Sequence, residues 1–308
     1  MERVSVIMPV FNGEKYIDEA VRSVLAQTYP NVELVIVNDG STDATGELIR
    51  RYAREPGVKI LHHEKNRGKA AAVNRGFRES QGELIVLLAA DDVLPPDSLE
   101  KRVRHLGAGD AAYCNVWRCD GNLNRIEKMY KNRGEELTWR DHKVKLLWRN
   151  PIAGGAIILR RPLARKIFPI PESLKFEDWW ISYFVLFHAR AVKFLDEPLL
   201  LYRIHGGNDH ANLGYRTICT ALRKDYVRHL TFYDELKKKL ISLKPEGLAD
   251  FIEIIDTNRR IKQSAARQSW IPPDKTFLAC YGWREYIRVQ SISKNFTLPW
   301  KLKTFFGR

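Results

Sequence analysis

The sequence predicts an α/β fold: a mostly parallel sheet flanked by helices, followed by a helical C-terminal extension. Three observations predict it. Several short, nearly continuous apolar runs have the length of strands buried on both faces. Amphipathic segments with helical spacing alternate with these runs. Beyond about residue 215 only helical patterns remain, so we predict a domain at 1–214, with halves 1–110 and 111–214, and an extension at 215–308.

Strands and helices alternate regularly in the first half. The strand at 4–10 is followed by the turn pair Asn12-Gly13 and by apolar residues at helical spacing over 17–25. A second apolar run at 32–37 ends in a polar loop at 38–43, whose side chains can cap the next helix. The remaining elements of this half are a helix through 48–52, a strand at 58–61, a helix at 69–79 and a long apolar run at 83–90.

The second half has a mixed pattern. Apolar runs predict strands at 111–117, 155–159 and 199–204. Helical patterns cover 139–148 and the aromatic-rich segment 179–188. In the extension we predict a helix over 221–243 and a break at Pro272-Pro273.

The charge of this 308-residue chain, +14 in all, is unevenly placed. Residues 1–110 carry 15 Lys and Arg against 17 Asp and Glu, whereas residues 215–308 carry 19 against 9. A basic surface favours an anionic partner, and its position in the extension indicates docking rather than chemistry. Since no recognised nucleic-acid-binding motif accompanies it, we expect no nucleic acid partner.

Cysteine spacing and hydropathy exclude other classes of protein. The four cysteines show no CxxC pair, which disfavours a zinc site and a disulfide scaffold. The apolar runs are too short to span a bilayer. Because a strand pattern follows Met1-Glu2-Arg3 directly, we expect no signal peptide and a cytoplasmic location.

Two adjacent carboxylates, Asp91 and Asp92, follow the long apolar run, and Pro95-Pro96 prevents the strand from continuing. Parallel sheets bind ligands at the carboxyl ends of their strands. Two acids there are costly unless a cation or ligand hydroxyl groups compensate them. This pattern predicts a metal-diphosphate site, with a plain turn of solvated acids as the alternative.

Other strand ends carry polar or aromatic residues that suit the same ligand. Phe11 and Asn12 follow strand one, and Asp39 follows strand two, so a parallel sheet places them on the edge that holds the acid pair. An aromatic ring, an acceptor for a base N–H and a metal-binding pair suit a nucleoside diphosphate. The basic turn 66–69 could approach phosphate or base, although such turns are more often solvated.

Four motifs together resemble the family-2 glycosyltransferases with a GT-A fold, over roughly residues 3–210. They are Val-Ser-Val-Ile-Met-Pro-Val-Phe-Asn at 4–12, Asn-Asp-Gly-Ser-Thr-Asp at 38–43, Asn-x-Gly-Lys-x-x-Ala-x-Asn-x-Gly at 66–76 and Asp-Asp-x-x-x-Pro at 91–96. The resemblance implies an inverting transfer of a sugar from a nucleotide sugar, usually with a divalent metal, Mn²⁺ or Mg²⁺.

The resemblance also implies roles for single residues. Phe11 and Asp39 would hold the base and nearby ribose, Asp91 would contact the ribose or the sugar, and Asp92 would be the main metal ligand. Ala89 stands where many members carry the first acid of Asp-x-Asp-Asp. Further nucleotide contacts are predicted at Pro9, Asn12, Asn66 and Lys69.

A Glu-Asp pair begins the helix after Phe176. The resemblance implies that its aspartate, Asp178, is the catalytic base. An inverting transfer needs a carboxylate to deprotonate the acceptor hydroxyl, and flanking aromatics could raise the pKa of Asp178. The alternative is that Glu177 and Asp178 only favour a helix N-terminus by charge.

Tyr-Arg-x-His at 202–205 resembles a family segment whose histidine reaches the metal or diphosphate. His205 is therefore a predicted metal ligand, with a hydrogen-bonded structural histidine as the alternative. Gly154-Gly155 resembles an acceptor-side loop, or serves close packing. Trp179 and Trp180 could stack on an acceptor sugar or lie in the core.

The sequence therefore predicts a glycosyltransferase of cell-envelope or polysaccharide synthesis, with a UDP-sugar as favoured donor and a glycan or lipid-linked acceptor. The aromatic and basic tail 296–308 would attach it peripherally to an anionic membrane at its inner face, or would pack on the domain. The alternatives are an inactive sugar-nucleotide-binding protein and a basic binder of anionic polymers. A nucleotidyltransferase is disfavoured because 9–13 does not resemble its Gly-rich loop.

Overall fold

The structure is a computed structural model. It describes residues 1–130, 138, 146–147, 150, 152–189, 191–206, 215–267, 274–276, 278 and 280–281, with backbone alone for 215–227. The elements are β1 (Val4–Val10), α1 (Ile17–Leu25), β2 (Val32–Asn38), α2 (Thr45–Arg50), β3 (Val58–His62), α3 (Lys69–Glu79), β4 (Leu84–Leu87), α4 (Ser98–Leu106), β5 (Ala111–Cys119), β6 (Arg125–Lys128), β7 (Ile157–Arg160), α5 (Arg161–Ile167), α6 (Glu177–His188), β8 (Lys193–Arg203), α7 (Tyr215–Leu243) and α8 (Leu248–Ala266).

One eight-stranded sheet has the order β3-β2-β1-β4-β7-β5-β6, with β8 paired to β5. The first four strands are parallel to one another. β7 is antiparallel to both β4 and β5, and β8 is parallel to β5. It follows that β1 to β5 and β8 all end at the same edge, which we call the carboxyl edge.

The apolar runs form the centre of this sheet. Every residue of β1 and β4 is buried, as expected for strands covered on both faces. α3 packs against β1 and β2 through Ala72 and Val73, and Gly76 allows this approach because a Cβ there would lie 2.4 Å from Ile7. The predicted α/β class, a mostly parallel sheet flanked by helices with a helical extension, is confirmed.

The long apolar run differs from its predicted form. β4 ends at Leu87, although Leu88 still donates its N–H to Ile7 O at 3.0 Å. The chain then turns, with Asp92 N donating to Ala89 O at 3.1 Å. The acid pair therefore lies on a turn just beyond the strand, and β8 closes over it through a bridge between Val93 and Leu201.

Other differences follow from exposure. β8 begins at Lys193, six residues before the predicted strand. The prediction missed the first half of β8 because that half is only half-buried and lacks an apolar run. β6, α4 and α5 were not predicted; β6 is half-exposed and three of its four residues, Arg125, Glu127 and Lys128, are charged. Most of the predicted helix 139–148 and the whole tail 296–308 lie outside the described residues.

The chain divides into two units, one of residues 1–143 and 150–205, the other of 144–149 and 206–308. In the second unit, α7 and α8 pack together, and Tyr233 and Asn258 bond Leu147 O at 2.7 and 3.2 Å. None of the described helices combines the length and apolar character needed to span a membrane. The domain boundary near 215 stays a prediction.

Candidate active site

Asp39, the first residue after β2, is surrounded by hydrogen-bond donors at the carboxyl edge. Its carboxylate is 2.6 Å from His63 Nδ1 and accepts the N–H groups of Arg67 and Gly68 at 3.0 and 2.8 Å. Gly68 N also donates to Asn66 Oδ1 at 3.0 Å. The turn before α3 thus folds around Asp39, because its backbone amides need acceptors and Asp39 supplies them.

The loops after β1 and β2 are joined by Asn12, which has a positive φ of 50°. Asn12 N donates to Ser41 Oγ at 3.0 Å, and Asn12 Oδ1 accepts from Thr42 N at 2.9 Å. Its neighbour Phe11 is 47% exposed at this edge, whereas Pro9 is buried within β1 opposite Val37. Phe11 therefore exposes about half of its surface at this edge, while Pro9 and Asn12 hold the loop that carries it.

The acid pair lies where β4 and β8 end. Asp92 is only 3% exposed and accepts Arg203 N at 3.0 Å. Asp91 Oδ2 lies 2.9 Å from His205 Nε2. Burial, and then the charge of Asp91, raises the pKa of Asp92 well above its ordinary value. Burial, followed by the charges of Asp92 and Asp91, raises the pKa of Tyr202 to about 12.

These residues fit a divalent cation. Asp92 is a buried carboxylate beside a second one, and burial disfavours its charged form unless a cation compensates it. Within the described ranges, no group of three or more His, Cys, Asp or Glu side chains could hold a metal by itself. Mg²⁺ characteristically takes one or two carboxylates and completes its shell with substrate phosphates and water. Asp91 and Asp92 match that ligand set.

Arg203 ties the acid pair to its surroundings. Its buried guanidinium donates to Asp91 O at 2.8 Å and Gly121 O at 2.6 Å, and it pairs with Glu19. It also lies over the Tyr16 ring, 4.4 Å from the centroid. One side chain therefore joins the end of β8 to α1, to the turn after β5 and to the acid pair.

Replacing Arg203 by Met is expected to lower the free energy of unfolding by about 3 kcal/mol, because it leaves two carbonyls and a carboxylate without their donor. Chemical denaturation measures this. The matched control Arg118→Met removes an arginine whose ion pair with Glu127 is half-exposed, and is expected to cost less than about 1 kcal/mol. Equal losses in the two variants would contradict the assigned role.

Asp178 lies in the first turn of α6. Its Oδ2 accepts from Asn150 Nδ2 at 3.0 Å, and neighbouring Glu177 is buried and pairs with Lys69 Nζ at 2.6 Å. Burial, followed by the charge of Glu177, raises the pKa of Asp178 to about 6, while Lys69 acts in the opposite direction. A carboxylate of this kind can take up a proton near neutral pH.

Lys69 connects the two groups of acids. It begins α3, directly after the turn around Asp39, and its pKa is raised by Glu177 first and also by Asp178 and Asp91. The start of α6 is thereby held at the carboxyl edge. The basic turn is not simply a solvated face: Lys69 pairs with Glu177, and Arg67 pairs with Glu172 at 3.0 Å.

The two tryptophans and two glycines have packing roles. Trp179 and Trp180 are each 2% exposed, so they lie in the core, and the alternative of sugar stacking is not supported. A Cβ on Gly154 would lie 3.0 Å from Asp178 Cβ, and one on Gly155 would lie 2.9 Å from Leu200. Gly154 therefore allows the approach of the loop to Asp178.

Sequence reasoning missed His63, Asn150 and the role of Arg203. Each contacts a partner far away in the chain: Asp39, Asp178 and Asp91, respectively. The spacing of residues along the sequence does not predict contacts between such distant positions. The one usable signal was that His63 lies two residues after the predicted strand 58–61.

The model of the family described as "Glycosyl transferase family 2" matches residues 5–168. The chain belongs to glycosyl transferase family 2. An uncharacterized glycosyltransferase of Nostoc sp. is 33% identical over 227 residues, 70% of this chain and 69% of that protein. The putative glycosyltransferase EpsH of Bacillus subtilis is 32% identical over 66% of this chain and 61% of its own length.

Solved structures show the same fold for this family-2 glycosyltransferase. S. aureus TarS in complex with UDP-GlcNAc has a TM-score of 0.60 at 20% identity, over 96% of this chain and 93% of that one. The mannosyltransferase PcManGT from Pyrobaculum calidifontis, in complex with GDP-Man and Mn²⁺, has a TM-score of 0.55 at 19% identity, over 100% and 88%. The GT-A fold predicted from the motifs is confirmed.

Proposed function

We propose that this glycosyltransferase inverts configuration as it moves a sugar from a nucleoside diphosphate to an acceptor hydroxyl, with Asp178 as catalytic base. One observation carries the proposal. The Lys69–Glu177 pair brings Asp178, whose pKa is about 6, to the edge that holds the acid pair and Asp39. Such tuned carboxylates are typical of general bases.

The donor would lie along the carboxyl edge. Phe11 and Asp39 would take the base and ribose, and Asp91 the ribose or the sugar. Asp92, with Asp91 and His205 beside it, would hold Mn²⁺ or Mg²⁺, which stabilises the negative charge of the departing diphosphate. Pro9, Asn12, Asn66 and Lys69 would shape this pocket, since they fix the loops around Phe11 and Asp39.

The transfer itself exchanges one C–O bond for another. The acceptor oxygen attacks the anomeric carbon from the face opposite the diphosphate, and its proton passes to Asp178. The bond from the anomeric carbon to the diphosphate oxygen breaks, and the nucleoside diphosphate leaves with the bonding electrons. Attack opposite the leaving group inverts the anomeric configuration.

For the donor we propose a UDP-sugar, and for the acceptor a glycan or a lipid-linked glycan of the cell envelope. TarS has a crystal structure in complex with UDP-GlcNAc, and PcManGT has a solved structure in complex with GDP-Man and Mn²⁺, so both classes of nucleotide occur on this fold. The basic extension suits an anionic partner, and we propose peripheral membrane attachment through 296–308.

The test is release of nucleoside diphosphate from a panel of UDP-, GDP- and dTDP-sugars with Mn²⁺, followed by NMR of the product's anomeric proton. We expect one nucleotide class to be used and the anomeric configuration to be inverted. A product with retained configuration would contradict Asp178 as a base.

The pH dependence should follow Asp178. Because only its ionised form accepts a proton, kcat is expected to rise about tenfold per pH unit below pH about 6 and to level off above it. Initial rates at saturating donor across this range measure the midpoint. A rate independent of pH through this window would contradict the role.

Lys69→Gln supplies a companion test. Lys69 lowers the pKa of Asp178, so its loss is expected to move the midpoint of the kcat profile to higher pH. Lys59→Gln is the matched control, since Lys59 pairs with half-exposed Glu79 instead. A midpoint that stays in place in Lys69→Gln would contradict the electrostatic coupling.

A further inference from the structure

A buried imidazole–carboxylate pair lies beneath the carboxyl edge. Residues 38 and 62 are register partners in β2 and β3, so the next residues, Asp39 and His63, emerge side by side. Their side chains are each only 4% exposed, and Nδ1 lies 2.6 Å from Oδ1. His63 N also donates to Asn38 O at 2.9 Å, which fixes the backbone that carries the ring.

The acceptor positions of Asp39 are unequally filled. Oδ1 faces His63 Nδ1 and the N–H of Arg67, while Oδ2 accepts the N–H of Gly68. An ionised carboxylate has about four acceptor sites. Donors of the described residues therefore fill both sites of Oδ1 and one of Oδ2. One acceptor site of Oδ2 remains for a ligand.

The direction of the His63 contact follows from this geometry. A carboxylate oxygen that already accepts a backbone N–H acts as an acceptor, so Nδ1 is the donor and carries the hydrogen. Hydrogen bonds with an ionised partner are shorter than those between neutral groups, and the separation of 2.6 Å is short. The two backbone amides belong to a single turn, whereas His63 comes from another strand end and holds the carboxylate from a second direction.

We propose that His63 is a positioning residue for donor recognition: it locks the Asp39 carboxylate so that Oδ2 accepts a ring N–H of the nucleobase. The inference rests on the proposed function and deepens it. Uracil, thymine and guanine carry such an N–H, whereas cytosine does not. His63 would therefore favour the first three bases without touching them, through the orientation of Asp39.

The experiment is calorimetric titration of UDP and CDP into the full chain with Mn²⁺ and into three variants. His63→Leu removes the donor. His63→Asn keeps an amide N–H near the place of Nδ1. His62→Leu is the matched control, because His62 is the exposed neighbour.

We expect His63→Leu to weaken UDP binding by about tenfold or more and to narrow the preference for UDP over CDP. His63→Asn should remain within about threefold of the unmodified chain, and His62→Leu should not differ from it. In turnover, the loss should appear in KM for the donor with kcat nearly unchanged, because the reacting atoms are untouched.

A purely structural role would give another result. The thermal unfolding temperature measured without nucleotide would fall in His63→Leu, while the affinity of the folded protein for UDP and the ratio of its affinities for UDP and CDP would stay the same. That result would overturn the inference. If His63→Leu does not fold, His63→Gln, whose amide reaches toward the place of Nε2, replaces it in the comparison with His63→Asn. No binding of UDP, GDP or dTDP to the unmodified chain would instead contradict the proposed function itself.

Discussion

Asp178→Asn is expected to lower kcat by about 10³-fold while leaving donor affinity within about threefold, because an amide cannot accept the acceptor's proton. On the proposed mechanism, this substitution removes the catalytic base. Nucleoside diphosphate release measures kcat, and titration of the nucleotide measures affinity. Retained turnover in the variant would contradict the assignment of the base.

The stability of the same variant separates catalysis from misfolding. Because the fold raises the pKa of Asp178 from 3.8 to about 6, the ionised carboxylate costs stability; this cost grows as pH rises between those two values and is fully present above about 6. Asn removes that cost, so thermal unfolding well above this pH should occur at the same or a higher temperature. Glu177→Gln is the contrasting variant: it breaks the pair with Lys69 and should lower stability.

Asp92→Asn is expected to abolish the stabilisation of the protein by Mn²⁺ together with nucleotide. Asp92 is buried beside Asp91, so a cation held there would relieve an unfavourable charge and would stabilise the negative charge of the diphosphate. At about a hundred times the dissociation constant, a ligand adds about 2.7 kcal/mol, which corresponds to roughly 5 °C or more for a domain of this size. Differential scanning fluorimetry measures the shift.

The matched control for this variant is Asp110→Asn. Asp110 is exposed and precedes β5, so it lies at the sheet edge opposite the acid pair, and its substitution makes the same change of charge. It should keep the full Mn²⁺-dependent shift. Asp92→Asn with an undiminished shift would show that the cation binds elsewhere.

Much of the fold could be predicted because strands buried on both faces have nearly continuous apolar sequences. β1, β2 and β4 are covered on both faces and read as apolar runs. β6 and the first half of β8 are half-exposed, so they have no continuous apolar run. The end of β4 was placed too late because Leu88 continues the apolar run after the strand has ended.

The candidate site divides in the same way. Asp39, Asp91 and Asp92 follow predicted strands, and parallel order alone places them on one edge. The role of Asp178 came from the family resemblance, since spacing could not separate a base from a helix N-terminal charge. His63 could not be paired with Asp39 before the strand register was known.

The measurement that tests the central claim most directly is calorimetric titration of UDP, GDP and dTDP, each with and without Mn²⁺, into the unmodified chain and Asp92→Asn. We predict Mn²⁺-dependent binding of one nucleotide, lost in Asp92→Asn. Binding that depends on neither Mn²⁺ nor Asp92, or no binding of any of the three nucleotides, would contradict a metal-diphosphate donor site at the carboxyl edge.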